Sequence, residues 1–132
     1  MTANEMTESV KLSAVAEEYF FEEGCYITEL SNSDDDAAVS IARARLAPGE
    51  ATRWHMLRDT GERYVLLQGC GLVEVGDMPP QEVVPGDVVL IPPLTRQRIA
   101  SVGQEDLIFL AICSPPFTPD VYIDIEGEKD SG

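Results

Sequence analysis

Short apolar runs recur along the chain, each closed by turn-forming residues. Tyr19-Phe20-Phe21 and Cys25-Tyr26-Ile27-Thr28 flank Glu22-Glu23-Gly24, which reads as a hairpin. Val39 to Leu46 alternates with a period of two, the mark of a strand with one buried face, and Pro48-Gly49 ends it. The same rhythm predicts strands over 51–57, 63–67, 72–75, 82–84, 88–91, 97–101 and 107–113, with a short last one over 121–125. Pro79-Pro80, Pro85-Gly86, Pro92-Pro93 and Pro115-Pro116 punctuate them, since proline cannot donate to a ladder. Residues 11–18 read as a short helix or an irregular arm. Eight to ten short strands with turns every 8–12 residues predict an all-β sandwich or barrel, and closure removes exposed strand edges.

Length and composition fit this. The chain has 132 residues, 44% hydrophobic and 25% charged, enough for one domain with a real core. The expected division is an N-terminal arm over 1–18, a β-barrel over 19–125 and an acidic tail over 126–132. No run approaches the ~20 apolar residues of a membrane span, and MTANEMTESV lacks the basic and apolar regions of a signal peptide. The expected location is the cytoplasm. The net charge is −15, concentrated in the two ends, while residues 37–119 are nearly balanced. Such a chain repels phosphate backbones and anionic membranes, so neither nucleic acid nor membrane is an expected partner. Three widely spaced cysteines, Cys25, Cys70 and Cys113, read as free thiols.

Two segments carry more. Residues 49–69 read GEATRWHMLRDTGERYVLLQG and residues 86–101 read GDVVLIPPLTRQRIAS. Gly49, His55, Glu62 and Gly69, then Gly86 and Pro92, fall at the spacings of the two cupin motifs, and the chain resembles a small single-domain cupin over roughly 38–113. That resemblance implies a double-stranded β-helix, or jelly roll, with a pocket at one mouth. In most cupins four motif residues hold a divalent metal. Here the matching positions are His55, Leu57, Glu62 and Gln97, so two ligands are replaced. The chain has one His, so no three-His site can form within it. What remains is an incomplete metal set of His55, Glu62 and Gln97, with room for a weakly held Ni, Fe, Mn or Zn ion.

Strand alternation then proposes a pocket wall. If His55 faces inward, so do Arg53 and Leu57; with Glu62 goes Tyr64, and with Gln97 goes Ile99. His55, Glu62 and Tyr64 are the catalytic candidates, as an acid–base pair with a group to steady a developing anion. Arg53, Leu57, Gln97 and Ile99 are the ligand-binding candidates, and a guanidinium at Arg53 points to an anionic ligand. The resulting expectation is a cupin that binds a small anionic metabolite. Two alternatives stand beside it: an isomerase, lyase or dioxygenase using His55 and Glu62, and a structural or regulatory homodimer with a vestigial pocket. The aromatics Tyr19, Phe20, Phe21 and Tyr26 suit a homodimer interface or a cap on the core.

Overall fold

The computed structural model describes residues 6–127. The expectations for the first five and last five residues therefore lie outside the described residues. Among the described residues, eleven strands form two antiparallel sheets. They are β1 (Glu18–Phe21), β2 (Cys25–Ser31), β3 (Ser40–Leu46), β4 (His55–Leu57), β5 (Gly61–Gln68), β6 (Gly71–Val75), β7 (Gln81–Val83), β8 (Val88–Ile91), β9 (Gln97–Ser101), β10 (Leu107–Ser114) and β11 (Tyr122–Asp124). One sheet runs β1-β2-β3-β10-β5-β8, the other β11-β4-β9-β6-β7. The expected arm holds one turn of 3-10 helix, Ser13–Val15. No described helix is long and apolar enough to cross a membrane.

Alternation along the strands becomes two inner faces. In β6 and β9 every second residue is buried, so Val73, Val75, Gln97 and Ile99 look across at the larger sheet. That sheet answers with Leu46, Leu66, Leu107 and Phe109, all at most 2% exposed. Truncating such a side chain costs about 2–5 kcal/mol, because the surroundings close only part of the void. Gly69, between β5 and β6, has φ +83°, and a Cβ there would come within 2.6 Å of the Asp106 carbonyl oxygen. Only glycine fits that close crossing.

The inner face of the larger sheet is graded in size. Leucines and Phe109 fill the end near β6. At the other end the paired positions are small: Ala42 faces Ala111, and Ser40 faces Cys113. Small residues opposite one another leave space that the facing sheet does not fill. That space is the cavity described below.

The strand expected over 51–57 is shorter than the pattern suggests. Regular pairing is confined to His55–Leu57, with an isolated bridge from Ala51 to Ala100. The cause is local. The Ile99 amide donates to the Thr52 hydroxyl, and the Arg53 amide donates to the Glu23 carbonyl at 2.7 Å instead of to a ladder partner. That last bond fastens the β1–β2 turn onto the segment entering β4. Phe20 stays exposed and meets Tyr26 edge to face at 5.2 Å, and Arg45 lies over the Tyr26 ring.

Candidate functional site

His55 and Gln97 sit directly opposite each other on β4 and β9. Glu62 and Tyr64 approach from β5 on the facing sheet. The Tyr64 hydroxyl donates to Gln97 Oε1, joining the two sheets through a fully buried contact. His55 is 1% exposed, stacked on Tyr122 of β11 with ring centroids 5.2 Å apart. Its Nδ1 lies 2.6 Å from the Arg53 carbonyl oxygen. A carbonyl only accepts, so Nδ1 carries the proton and Nε2 is the free acceptor in the neutral ring.

The partner of Nε2 is a residue outside both motifs. Glu23 Oε2 lies 3.2 Å away. Glu23 belongs to the hairpin turn, where Gly24 takes φ +104° and lets the backbone pass 3.2 Å from the Ala51 carbonyl at its would-be Cβ. Burial pushes the Glu23 carboxyl up to about 7, with the Cys25 thiol pulling the other way through a hydrogen bond. Burial also pushes Glu62 up to about 7, helped by the charge of Glu23 and opposed by His55, Gln97 and the Cys113 thiol. Burial lowers His55, against the pull of the Arg53 carbonyl and of Glu62. The Glu23 and His55 shifts both favour a proton held on the Glu23 carboxyl and donated to a neutral imidazole.

Glu23 and Glu62 both line a cavity of about 40 Å³, walled further by Phe21, Phe117, Ala42 and Ala111. At roughly 10–15 Å³ per water this holds about three waters, or one end of a small ligand. Glu62 Oε1 is shut off from solvent without a hydrogen-bond partner, as is Gln97 Nε2 close by. Buried polar atoms in native folds are nearly always satisfied, so such atoms mark a place where a ligand or water completes the set.

Of the expected wall, Glu62 alone lines this cavity. Leu57 and Ile99 are 3% and 0% exposed and pack into the core, while Tyr64 and Gln97 are occupied with each other. The open space has moved toward the small residues of β3 and β10. Arg53 corrects the expectation most clearly. It precedes β4, and its exposed guanidinium is paired with Asp124 at 2.6 Å, off the cavity. The reason for expecting an anionic ligand goes with it. Sequence reasoning missed Glu23; the one faint signal is that Tyr19, Phe21 and Glu23 share a period-two face, which strand alternation does not carry reliably into a turn.

The metal implied by the cupin motifs does not fit these residues. Leu57 offers no donor, and Gln97 Oε1, which accepts from Tyr64, is an amide oxygen and a weak ligand for a first-row metal. Among the described residues no group of three or more His, Cys, Asp and Glu is arranged to hold an ion.

Comparison with known proteins agrees with the fold and the motif spacing. The cupin domain profile matches residues 42–113. The chain is 32% identical over 102 residues to uncharacterized protein MJ1618 of Methanocaldococcus jannaschii, covering 76% of this chain and 81% of that one. KdgF from a Halomonas species superposes with a TM-score of 0.74 at 17% identity, covering 86% of this chain and 98% of that one. Pac13, a nucleoside dehydratase, gives 0.75 at 14%, covering 91% and 92%. A predicted oxalate decarboxylase from Thermotoga maritima gives 0.70 at 24%, covering 80% and 98%. The likeness to these structures carries the jelly-roll fold and no more. With its profile match, its motif spacings and its two facing sheets, the chain belongs to the cupin family.

Proposed function

We propose that this cupin binds one end of a small polar metabolite in the cavity beside β2, β3 and β10, and transfers protons to and from it. The observation that carries this reading is the Glu23–His55 contact at 3.2 Å, with Glu62 presenting an unpartnered Oε1 in the same cavity. Two carboxyls that titrate near neutrality serve as acid and base at ordinary pH, since catalytic efficiency is highest when the pKa lies near the working pH. Ionised Glu62 takes a proton from an acidic carbon or a hydroxyl of the ligand. Protonated Glu23, held by the His55 ring, gives one back to the carbonyl oxygen or to a leaving oxygen. His55 keeps Glu23 in place and receives its hydrogen bond. Isomerisation, epimerisation and elimination all need this pair of steps. That the similar Pac13 is a nucleoside dehydratase is compatible with such chemistry on a cupin frame.

The test is solvent exchange. A panel of small hydroxy- and amino-carbonyl compounds is incubated with the protein in D2O and followed by proton NMR. The expected result is deuterium entering the carbon beside the carbonyl of at least one compound, lost in Glu62→Gln and reduced in Glu23→Gln. Exchange that persists unchanged in Glu62→Gln contradicts the assignment.

A further inference from the structure

The cavity has a consistent sign. Glu23 from the turn, Glu29 from β2 and Glu62 from β5 all line it, and among the described residues no Lys or Arg does. Arg53, near the entry to β4, is held by Asp124. Its other walls are aromatic and apolar: Phe21 meets Phe117 edge to face at 5.9 Å and Tyr122 at 5.2 Å. Each carboxyl uses one side on its neighbours, Glu29 on Tyr19 and Asn32 and Glu62 on Cys113 and Gln97, and keeps one buried oxygen, Glu29 Oε2 and Glu62 Oε1, without a close hydrogen-bond partner. Fully buried Gln97 lies outside the lining, with its amide donor toward the Glu62 carboxyl, where it favours the ionised form. Carboxylates gathered in one low-dielectric space repel an anion strongly and must be neutralised by protons or by a cation. Aromatic faces with carboxylates behind them are the surroundings that recognise an ammonium group.

Building on the proton-transfer reading, we infer that the ligand of this cavity carries a positively charged nitrogen, an alkylammonium, seated among Glu29, Glu62 and the rings of Phe21 and Phe117. The cation takes the place of protons that the carboxyls otherwise hold. Binding therefore releases protons and tightens as pH rises. The titratable groups that line this position are Tyr19 of β1, Glu23 of the turn, Glu29 of β2, Glu62 of β5 and Cys113 of β10; behind them stand His55 of β4, against Glu23, and Tyr122 of β11, against Phe21. Burial raises Tyr19, Glu23, Glu29, Glu62, Cys113 and Tyr122 alike, so each favours its neutral form until a cation arrives. Burial lowers His55, which keeps the ring from acting as the counter-charge.

Three probes of one shape separate the alternatives: propylammonium, propanol and propionate, titrated by amide NMR between about pH 6 and pH 8. The expected result is propylammonium binding in the millimolar range at the upper pH, at least about tenfold tighter than propanol and weakening as pH falls, with no shifts from propionate. Glu29→Gln lowers that affinity by about tenfold while the spectrum keeps its dispersion. Propionate binding as well as propylammonium overturns the inference. So does propanol binding equally at all pH values, or the absence of any propylammonium shift. These failures leave the deuterium test standing, because Glu62→Gln decides the proton-transfer reading by itself.

Discussion

The most direct energetic consequence of a largely enclosed Glu23 carboxyl, its side chain 18% exposed, is a stability that falls as pH rises. Its carboxyl lies near 4.5 when solvated and is pushed up to about 7 in the folded protein. The sign follows from proton uptake. Between these two values the folded state holds a proton that the unfolded state has released, so raising pH favours unfolding. At about 1.4 kcal/mol for each pH unit, the full cost above pH 7 is about 3 kcal/mol, and between pH 5 and pH 8 the loss is about 2.5 kcal/mol. Glu62, raised to a similar value, adds a loss of the same order and the same sign. His55 acts the other way: its folded pKa is lowered, so its contribution is lost as pH falls below its ordinary value of 6.5. Surface carboxylates and the overall charge also make stability depend on pH, so the comparison must be differential. Urea unfolding of wild type and Glu23→Gln at pH 5, 6, 7 and 8 isolates the residue. The expected difference between the two proteins shifts by about 2.5 kcal/mol across that range in favour of the variant at high pH, at unchanged m-value. A difference that stays flat within about 0.5 kcal/mol refutes a buried Glu23 carboxyl.

Further predictions concern the frame around the site. Tyr64→Phe strands Gln97 Oε1 in the core, and the expected loss is about 1–3 kcal/mol in urea unfolding. Gly69→Ala forces a Cβ against the Asp106 carbonyl at a positive φ, with an expected loss of about 2 kcal/mol or more. Ala42→Val adds two methyl groups to the cavity wall; it is expected to abolish propylammonium binding while changing unfolding free energy by less than about 1.5 kcal/mol. Burial pushes the Cys25 and Cys113 thiols up, whereas Cys70 lies partly exposed against Glu82. A thiol reagent is therefore expected to titrate one cysteine in the native protein, and all three after denaturation.

How legible this was from sequence varies by element. Strands such as 40–46 and 97–101 were readable because one buried face imposes a period of two, and the bounding prolines and glycines fixed the turns. Motif spacing singled out His55, Glu62 and Gln97, and alternation added Tyr64; the fold pairs His55 with Gln97 and links Tyr64 to Gln97 across the two sheets. Arg53 misled because alternation gives a side chain's face but not its depth. It stands at the entry to β4, where Asp124 is within reach. Glu23 was hidden for a related reason. A glutamate in a Glu-Glu-Gly turn is ordinarily solvated, and only the docking of that turn on the Arg53 amide carries this one inward. The cavity itself depends on Ser40, Ala42, Ala111 and Cys113 pairing across β3 and β10, a long-range register that no local pattern encodes.

The chain's one histidine makes the decisive measurement simple, since a single imidazole gives a single pair of ring nitrogens. Nitrogen-15 NMR of selectively labelled His55, followed from about pH 5 to pH 9, reports which nitrogen holds the proton and when the ring charges. The expected result is a neutral ring at pH 7, protonated at Nδ1 and bare at Nε2, with its shifts perturbed near pH 7 as Glu23 titrates and with Glu23→Gln removing that step. A ring that charges at its ordinary value, or that holds its proton at Nε2 while neutral, contradicts the Glu23–His55 arrangement on which the proposed chemistry rests.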